Sequence, residues 1–142
     1  MRTRKPAPER RREIALAVLR IIGERGLTSL TTATLADEVG VTTGALFRHF
    51  ASLDEILRET VRHGVEKMEE TFPDASLPPL ERLLGLARNR VELLRSDSGL
   101  EWLLRSEQAY LTLPDEAVAS LKALVRRSRR YLLDAIREEH HS

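Results

Sequence analysis

The stretch that decides the fold is Leu35-Ala36-Asp37-Glu38-Val39-Gly40-Val41-Thr42-Thr43-Gly44-Ala45-Leu46-Phe47-Arg48-His49-Phe50. It reads as two short helices joined by a tight turn. The first covers about Thr32–Val39, with Leu35 and Val39 on its inner face. Gly40 ends it, because glycine enters a positive-φ turn without steric cost. Thr42 or Thr43 offers a hydroxyl to the free N–H groups of the second helix, roughly Thr43–Phe50, where Leu46 and Phe50 share one side. Ala36 is small where the two helices must cross, and Val41 and Leu46 plug the wedge between them. The outer face of the second helix keeps Thr42, Thr43, Ala45, Arg48 and His49, groups suited to a DNA major groove. Gly44 lets that face approach a duplex with no side chain in the way. The alternative is an ordinary helical hairpin with a glycine turn.

Upstream, Pro8 and Glu9 suit the first turn of a helix, where proline gives up no needed N–H and a carboxylate meets the positive dipole end. Ile14, Ala17, Val18, Ile21 and Ile22 then form one apolar stripe, and Gly26 closes the helix. Downstream, Ser52-Leu53-Asp54-Glu55 is a capping box opening a long helix through Ile56, Leu57, Thr60, Val61, Val65 and Met68. It must stop before Pro73. Three prolines between Pro73 and Pro79 mark a linker. Another helix follows on Leu80, Leu83, Leu84, Ala87, Val91 and Leu94, then one from about Leu100 to Thr112. The last begins at Pro114-Asp115-Glu116, with Val118, Leu121, Val125, Leu132 and Ile136 expected inward. No segment alternates at period two, so the expected fold class is all-α. No internal repeat or low-complexity stretch interrupts it.

Composition supports a packed, soluble chain: 42% of its 142 residues are hydrophobic and 32% charged. Aromatics are only 4%, which leaves the core to Leu, Ala, Val and Ile and favours helices. There is no cysteine, which excludes a disulfide framework, a thiolate metal site and a cysteine nucleophile. No apolar run approaches the roughly 18 residues of a membrane span, and no signal-peptide pattern opens the chain, so a cytoplasmic protein is expected. The net charge of +1 hides an asymmetry: residues 1–63 hold 11 Lys/Arg against 8 Asp/Glu, and the remainder 12 against 14. At the start Arg2, Arg4, Lys5, Arg10, Arg11 and Arg12 face only Glu9. A basic arm ahead of a helix suits a polyanion, although terminal charge runs are commonly just solvated.

Residues 13–61 resemble the DNA-binding domain of the tetracycline-repressor (TetR) family of bacterial regulators. The matching stretches are Ile14-Ala15-Leu16-Ala17, Glu24-Arg25-Gly26, Leu30-Thr31-Thr32, Leu35-Ala36, Gly40-Val41, Gly44 through Phe50, and Leu53-Asp54-Glu55-Ile56-Leu57. The resemblance implies a division into an arm and helix-turn-helix domain over 1–60 and a helical effector-binding and dimerisation domain over 61–142. It implies that the third helix reads the major groove, with Thr43, Ala45 and His49 as groove or backbone contacts and Thr31 and Thr32 as phosphate contacts. Thr42, Gly44, Phe47 and Arg48 complete the expected DNA-binding surface, with Arg4, Lys5 and Arg10 from the arm. Two positions depart from the family pattern: Phe47 stands for a usual tyrosine and Leu53 for a usual lysine. Two phosphate contacts are therefore missing, while both residues are expected to keep an apolar packing role.

The implied partners are double-stranded operator DNA, a small-molecule effector and a second copy of the chain. An effector would shift the fourth helix and so the spacing of two reading heads. Family members usually continue through two more long helices, so the regulatory half looks short. Trp102, Arg105, Gln108 and Tyr110, with Glu107 among them, mix aromatic surface and polar handles and are the candidate effector residues. The plainer expectation, which the residues favour, puts Trp102 in the core and the others in solvent. Glu59 and His63 are i,i+4 neighbours expected to touch at the surface. His140 and His141 read as a disordered tail or tag remnant rather than a metal site. No nucleophile elbow, Gly-rich phosphate loop or His-Glu-x-x-His pattern occurs, so no catalytic residue, cofactor or metal is expected. The leading expectation is a ligand-responsive regulator, usually a repressor. The alternative, for which Phe47 and Leu53 speak, is a helical interaction module that no longer reads DNA.

Overall fold

A computed structural model of the chain describes residues 7–141. Among these residues eight α-helices follow one another: α1 Ala7–Arg25, α2 Thr32–Val39, α3 Thr43–His49, α4 Leu53–Glu69, α5 Pro79–Ser96, α6 Ser98–Arg105, α7 Glu107–Thr112 and α8 Asp115–His141. A 3-10 turn, Leu27–Ser29, links α1 to α2, and no strand occurs among the described residues. Gly26 and Gly40 both take φ near +80°, where glycine is favoured; Gly40 adopts the left-handed helical conformation that ends α2, whereas Gly26 after α1 has ψ 167°.

The stripe read from α1 is buried as expected, with Ile14, Ala17, Val18, Ile21 and Ile22 all in the core. Leu35, Leu46, Phe50, Ile56 and Val61 close over it, giving a three-helix head seated on the first part of α4. The same cluster continues without a gap into Leu100, Leu103, Leu121 and Leu124 of α6 and α8. Helices α4 and α8 run side by side in the same direction, since Arg58 meets Glu116 near one end and Arg127 pairs with Glu69 near the other.

Helices α1 and α6 cross with their backbones in contact. A Cβ on Gly99 would lie 2.1 Å from the Leu19 carbonyl oxygen, and one on Gly23 would lie 2.7 Å from the Gly99 nitrogen. Only the absence of side chains at both positions permits that approach.

Four expectations need correction. Helix α5 is phased differently: its inward side carries Arg82 and Leu86, while Leu80, Leu84 and Val91 are more than half exposed. Polar groups face inward because they meet backbone acceptors, Arg82 Nε on the Leu77 carbonyl at 2.9 Å and Asn89 Nδ2 on the Thr71 carbonyl at 3.0 Å. In α8, Ala117, Leu121, Leu124, Ser128 and Ala135 face inward, and Val125 and Ile136 lie outside. The single helix expected over 100–112 is broken at Ser106, whose extended backbone (φ −81°, ψ 126°) separates α6 from α7. The terminal histidines are not a disordered tail, since α8 continues through His141.

Candidate nucleic-acid interface

Short helices need help at their ends, and here side chains supply it. Thr31 Oγ1 accepts from the Thr34 N–H at 3.1 Å, and Thr34 Oγ1 accepts from the Thr31 N–H at 2.9 Å, a reciprocal box at the start of α2. Thr42, rather than Thr43, caps α3, accepting from the Ala45 N–H at 3.0 Å. Each cap is worth about 1 kcal/mol. Burial weighs more: Leu46 and Phe50, 0% and 1% exposed, each contribute roughly 1.5–3 kcal/mol and fix which side of α3 faces the protein.

The opposite side of α3 is therefore free. Thr42, Thr43, Gly44, Phe47 and Arg48 are exposed, and Ala45 and His49 are half-buried. Phe47 departs from its expected packing role: it is 39% exposed and stands on the outer face. Leu53 keeps that role, half-buried against the core at the start of α4. Thr31 is exposed and Thr32 half-buried at the beginning of α2. Arg10, half-buried on α1, pairs with Glu13 at 3.3 Å and joins Arg48 and His49 in lining an open cleft of about 470 Å³ between α1 and α3. Arg10, Ala45, Arg48 and His49 thus line one open cleft with a basic rim, while Thr31 and Thr32 lie at the start of α2. Arg4 and Lys5 lie outside the described residues.

The junction from α3 to α4 is held from both sides. Ser52 Oγ accepts from the Glu55 N–H at 3.2 Å, while Glu55 Oε2 accepts from the Ala51 N–H at 2.8 Å, one residue earlier than a strict capping box. Arg11 reaches the same place from α1, a role that the basic run gave no means of assigning. Further along α4, Glu59 pairs with Arg62 and Arg11 and makes no pair with His63. Burial works to raise the Glu59 carboxyl, but Arg62 and Arg11 together outweigh it and hold it below the usual carboxylate range. At its far end α4 is tied to α5, where Arg90 Nε donates to Thr71 Oγ1 at 3.1 Å and its guanidinium lies 4.9 Å from the Phe72 ring centre.

The candidate effector residues lie on α6 and α7. Trp102 is half-buried against the core, Arg105 is exposed and paired with Glu101, and Gln108 and Tyr110 are exposed. Among the described residues no group of three or more His, Asp or Glu is placed to hold a metal ion. No helix there is long and apolar enough to cross a membrane.

Comparison with known proteins places this surface in context. Residues 14–60 match the family model for bacterial regulatory proteins of the tetR family. The HTH-type transcriptional repressor KstR2 of Mycobacterium tuberculosis is 35% identical over 80 residues, covering 54% of this chain and 40% of that protein. The HTH-type transcriptional regulator BetI of Brucella anthropi is 39% identical over 82 residues, covering 56% and 42% respectively. The chain thus spans about two fifths of the length of these relatives. In structure, the ketosteroid transcriptional regulator KstR2 of M. tuberculosis superimposes with a TM-score of 0.75 at 26% identity, over 91% of this chain and 67% of that one. The multidrug binding protein EbrR, in complex with imidazole, gives 0.63 at 30% identity, over 90% and 69%. A matched reading head and a shared fold over nine tenths of the chain lead to one assignment: the protein belongs to the tetR family of bacterial regulatory proteins.

Proposed function

We propose that the protein is a ligand-responsive transcriptional regulator, a repressor that reads a palindromic operator as a symmetric homodimer. The observation that carries this is the outer face of α3, exposed from Thr43 to Arg48 on a helix whose other side is anchored by Leu46 and Phe50. In this view α3 enters the major groove and Thr43, Ala45 and His49 meet base edges or backbone. Phe47 suits an apolar contact with a thymine methyl. Thr31, Thr32, Thr42, Arg10 and Arg48 meet phosphates, and Arg4 and Lys5 extend that contact along the flank. Gly44 permits close approach.

Residues 1–60 form the reading domain and 61–142 the regulatory one, with α4 running from one into the other along a shared core. Two heads of a dimer must sit roughly 34–36 Å apart to reach successive major grooves. An effector that favours a mis-spaced α4 by about 1–3 kcal/mol suffices to release DNA. The names of KstR2 and EbrR, a ketosteroid regulator and a multidrug binding protein, support an apolar small molecule as effector. Of the four sequence candidates, Trp102 packs on the core and Arg105, Gln108 and Tyr110 are exposed, which is the arrangement of the plainer expectation.

The test is selection of duplexes from a randomised pool, followed by gel retardation across salt. A palindromic site should emerge, with steep salt dependence, and Arg48→Glu should weaken binding by about a hundredfold at moderate salt. No retardation at low salt by a demonstrably dimeric sample would leave the protein-interaction module in its place.

A further inference from the structure

Arg10, Arg11 and Arg12 are consecutive and look equivalent, yet the fold sends them in different directions. Arg12 is exposed, and Arg10 lines the cleft beside α3. Arg11 turns into the protein. Its Nη1 donates to the His49 carbonyl oxygen at 2.7 Å, and its guanidinium carbon lies 4.4 Å from the Phe50 ring centre. Its Nη2 faces Glu55 at 3.7 Å and Glu59 at 3.6 Å. One planar group therefore touches the last turn of α3, the residue that ends it, and two carboxylates of α4.

The chemistry of that place explains why an arginine serves. The final carbonyls of a helix have no donor further along the chain, and a cation there meets the negative end of the dipole. Helix α3 is only seven residues long, so its pose depends on its ends as well as on Leu46. A guanidinium can donate in one direction, stack on a ring in another and face carboxylates in a third, whereas an ammonium is a single point charge.

We infer that Arg11 is a positioning residue for DNA reading: it locks the α3–α4 junction so that the pose of α3 follows α4, and it makes no phosphate contact itself. Its consequence for DNA rests on the function proposed above; the lock itself does not.

The full chain is compared as wild type, Arg11→Gln, Arg11→Lys and Arg48→Gln. Amide hydrogen exchange without DNA is read first, with the interior of α1 as internal reference. Arg11→Gln should speed exchange at Leu46–Phe50 about tenfold and leave the α1 interior unchanged. Arg11→Lys should restore only part of the protection, and Arg48→Gln should change none of it. Unaltered exchange in Arg11→Gln, or full restoration by lysine, overturns the lock. Next, a duplex recovered by the wild type from a randomised pool is titrated across salt. Arg11→Gln should bind about tenfold more weakly with an unchanged slope of log K against log salt, whereas Arg48→Gln should lower the slope by about one. An equal fall in slope for Arg11→Gln would make Arg11 a phosphate contact and overturn the assignment. If no duplex is recovered, the DNA-reading function fails, while exchange still decides the lock. If Arg11→Gln does not fold, Glu59→Gln replaces it: faster exchange confined to the same amides supports the lock, and none refutes it.

Discussion

Gly44 sits on the exposed side of α3, and the space beside its Cα is open: the nearest atom to a Cβ placed there is Thr42 Oγ1 at 3.9 Å. Alanine therefore fits the protein without a clash, and in a helix it is favoured over glycine by about 0.5–1 kcal/mol. Gly44→Ala should raise the thermal midpoint while weakening duplex binding, because the new methyl group occupies room needed for close approach. Calorimetry and gel retardation on the same sample check both signs; tighter or unchanged binding would take Gly44 off the interface. The residues of this turn were legible in sequence because each has a local cause, a cap, a wedge or a left-handed φ. Arg11 was not. Three arginines in a row carry no mark of which one meets α3 and α4, since that depends on where those helices come to rest.

Helices reveal their existence more readily than their facing. The stripes of α1 and α4 were readable because their buried sides are apolar apart from Thr60, whose hydroxyl is satisfied within its own helix by the Ile56 carbonyl. In α5 the apolar residues are split, with Leu80, Leu84 and Val91 exposed and Leu86, Leu93 and Leu94 inward, while Arg82 and Asn89 turn inward to satisfy backbone carbonyls. Periodicity counts hydrophobes and cannot weigh a hydrogen bond to a segment not yet placed. A groove between α1 and α4, lined by Arg12, Glu59, His63 and Glu66, offers a test at this scale. His63, half-buried on α4, has its pKa pushed below the usual 6.5 by burial, by Lys67 and by Arg12, against the opposing pull of Glu66 and Asp97. Above that value the imidazole is neutral in both folded and unfolded chains and contributes nothing. As pH falls through it, the unfolded chain takes up the proton first, so stability declines until the folded imidazole also charges. Thermal midpoints between pH 7.5 and 5 should therefore fall more steeply for the wild type than for His63→Gln. Parallel curves would show that the groove does not disfavour the charged ring.

Across the whole molecule the decisive contact is the crossing of α1 and α6. Gly99→Ala would drive a methyl group to 2.1 Å from the Leu19 carbonyl oxygen, a backbone atom with no room to yield. Overpacking of this kind typically costs about 1–3 kcal/mol, and a rigid neighbour places the cost at the upper end. Gly99→Ala should thus lower the unfolding free energy by about 3 kcal/mol, the opposite sign to the same exchange at Gly44, as chemical denaturation would show. The linear chain gave no warning of this contact. Gly23 lies inside a helix and Gly99 near a turn, and nothing local pairs two glycines 76 positions apart in number. That pairing bears on engineering. A hybrid regulator made by grafting residues 1–60 onto a foreign sensor would bring one half of a matched seam, and an acceptor with any larger side chain opposite Gly23 would splay the joint. Productive swaps in this scaffold should carry both glycines together, or exchange the reading surface of α3 alone and leave the seam untouched.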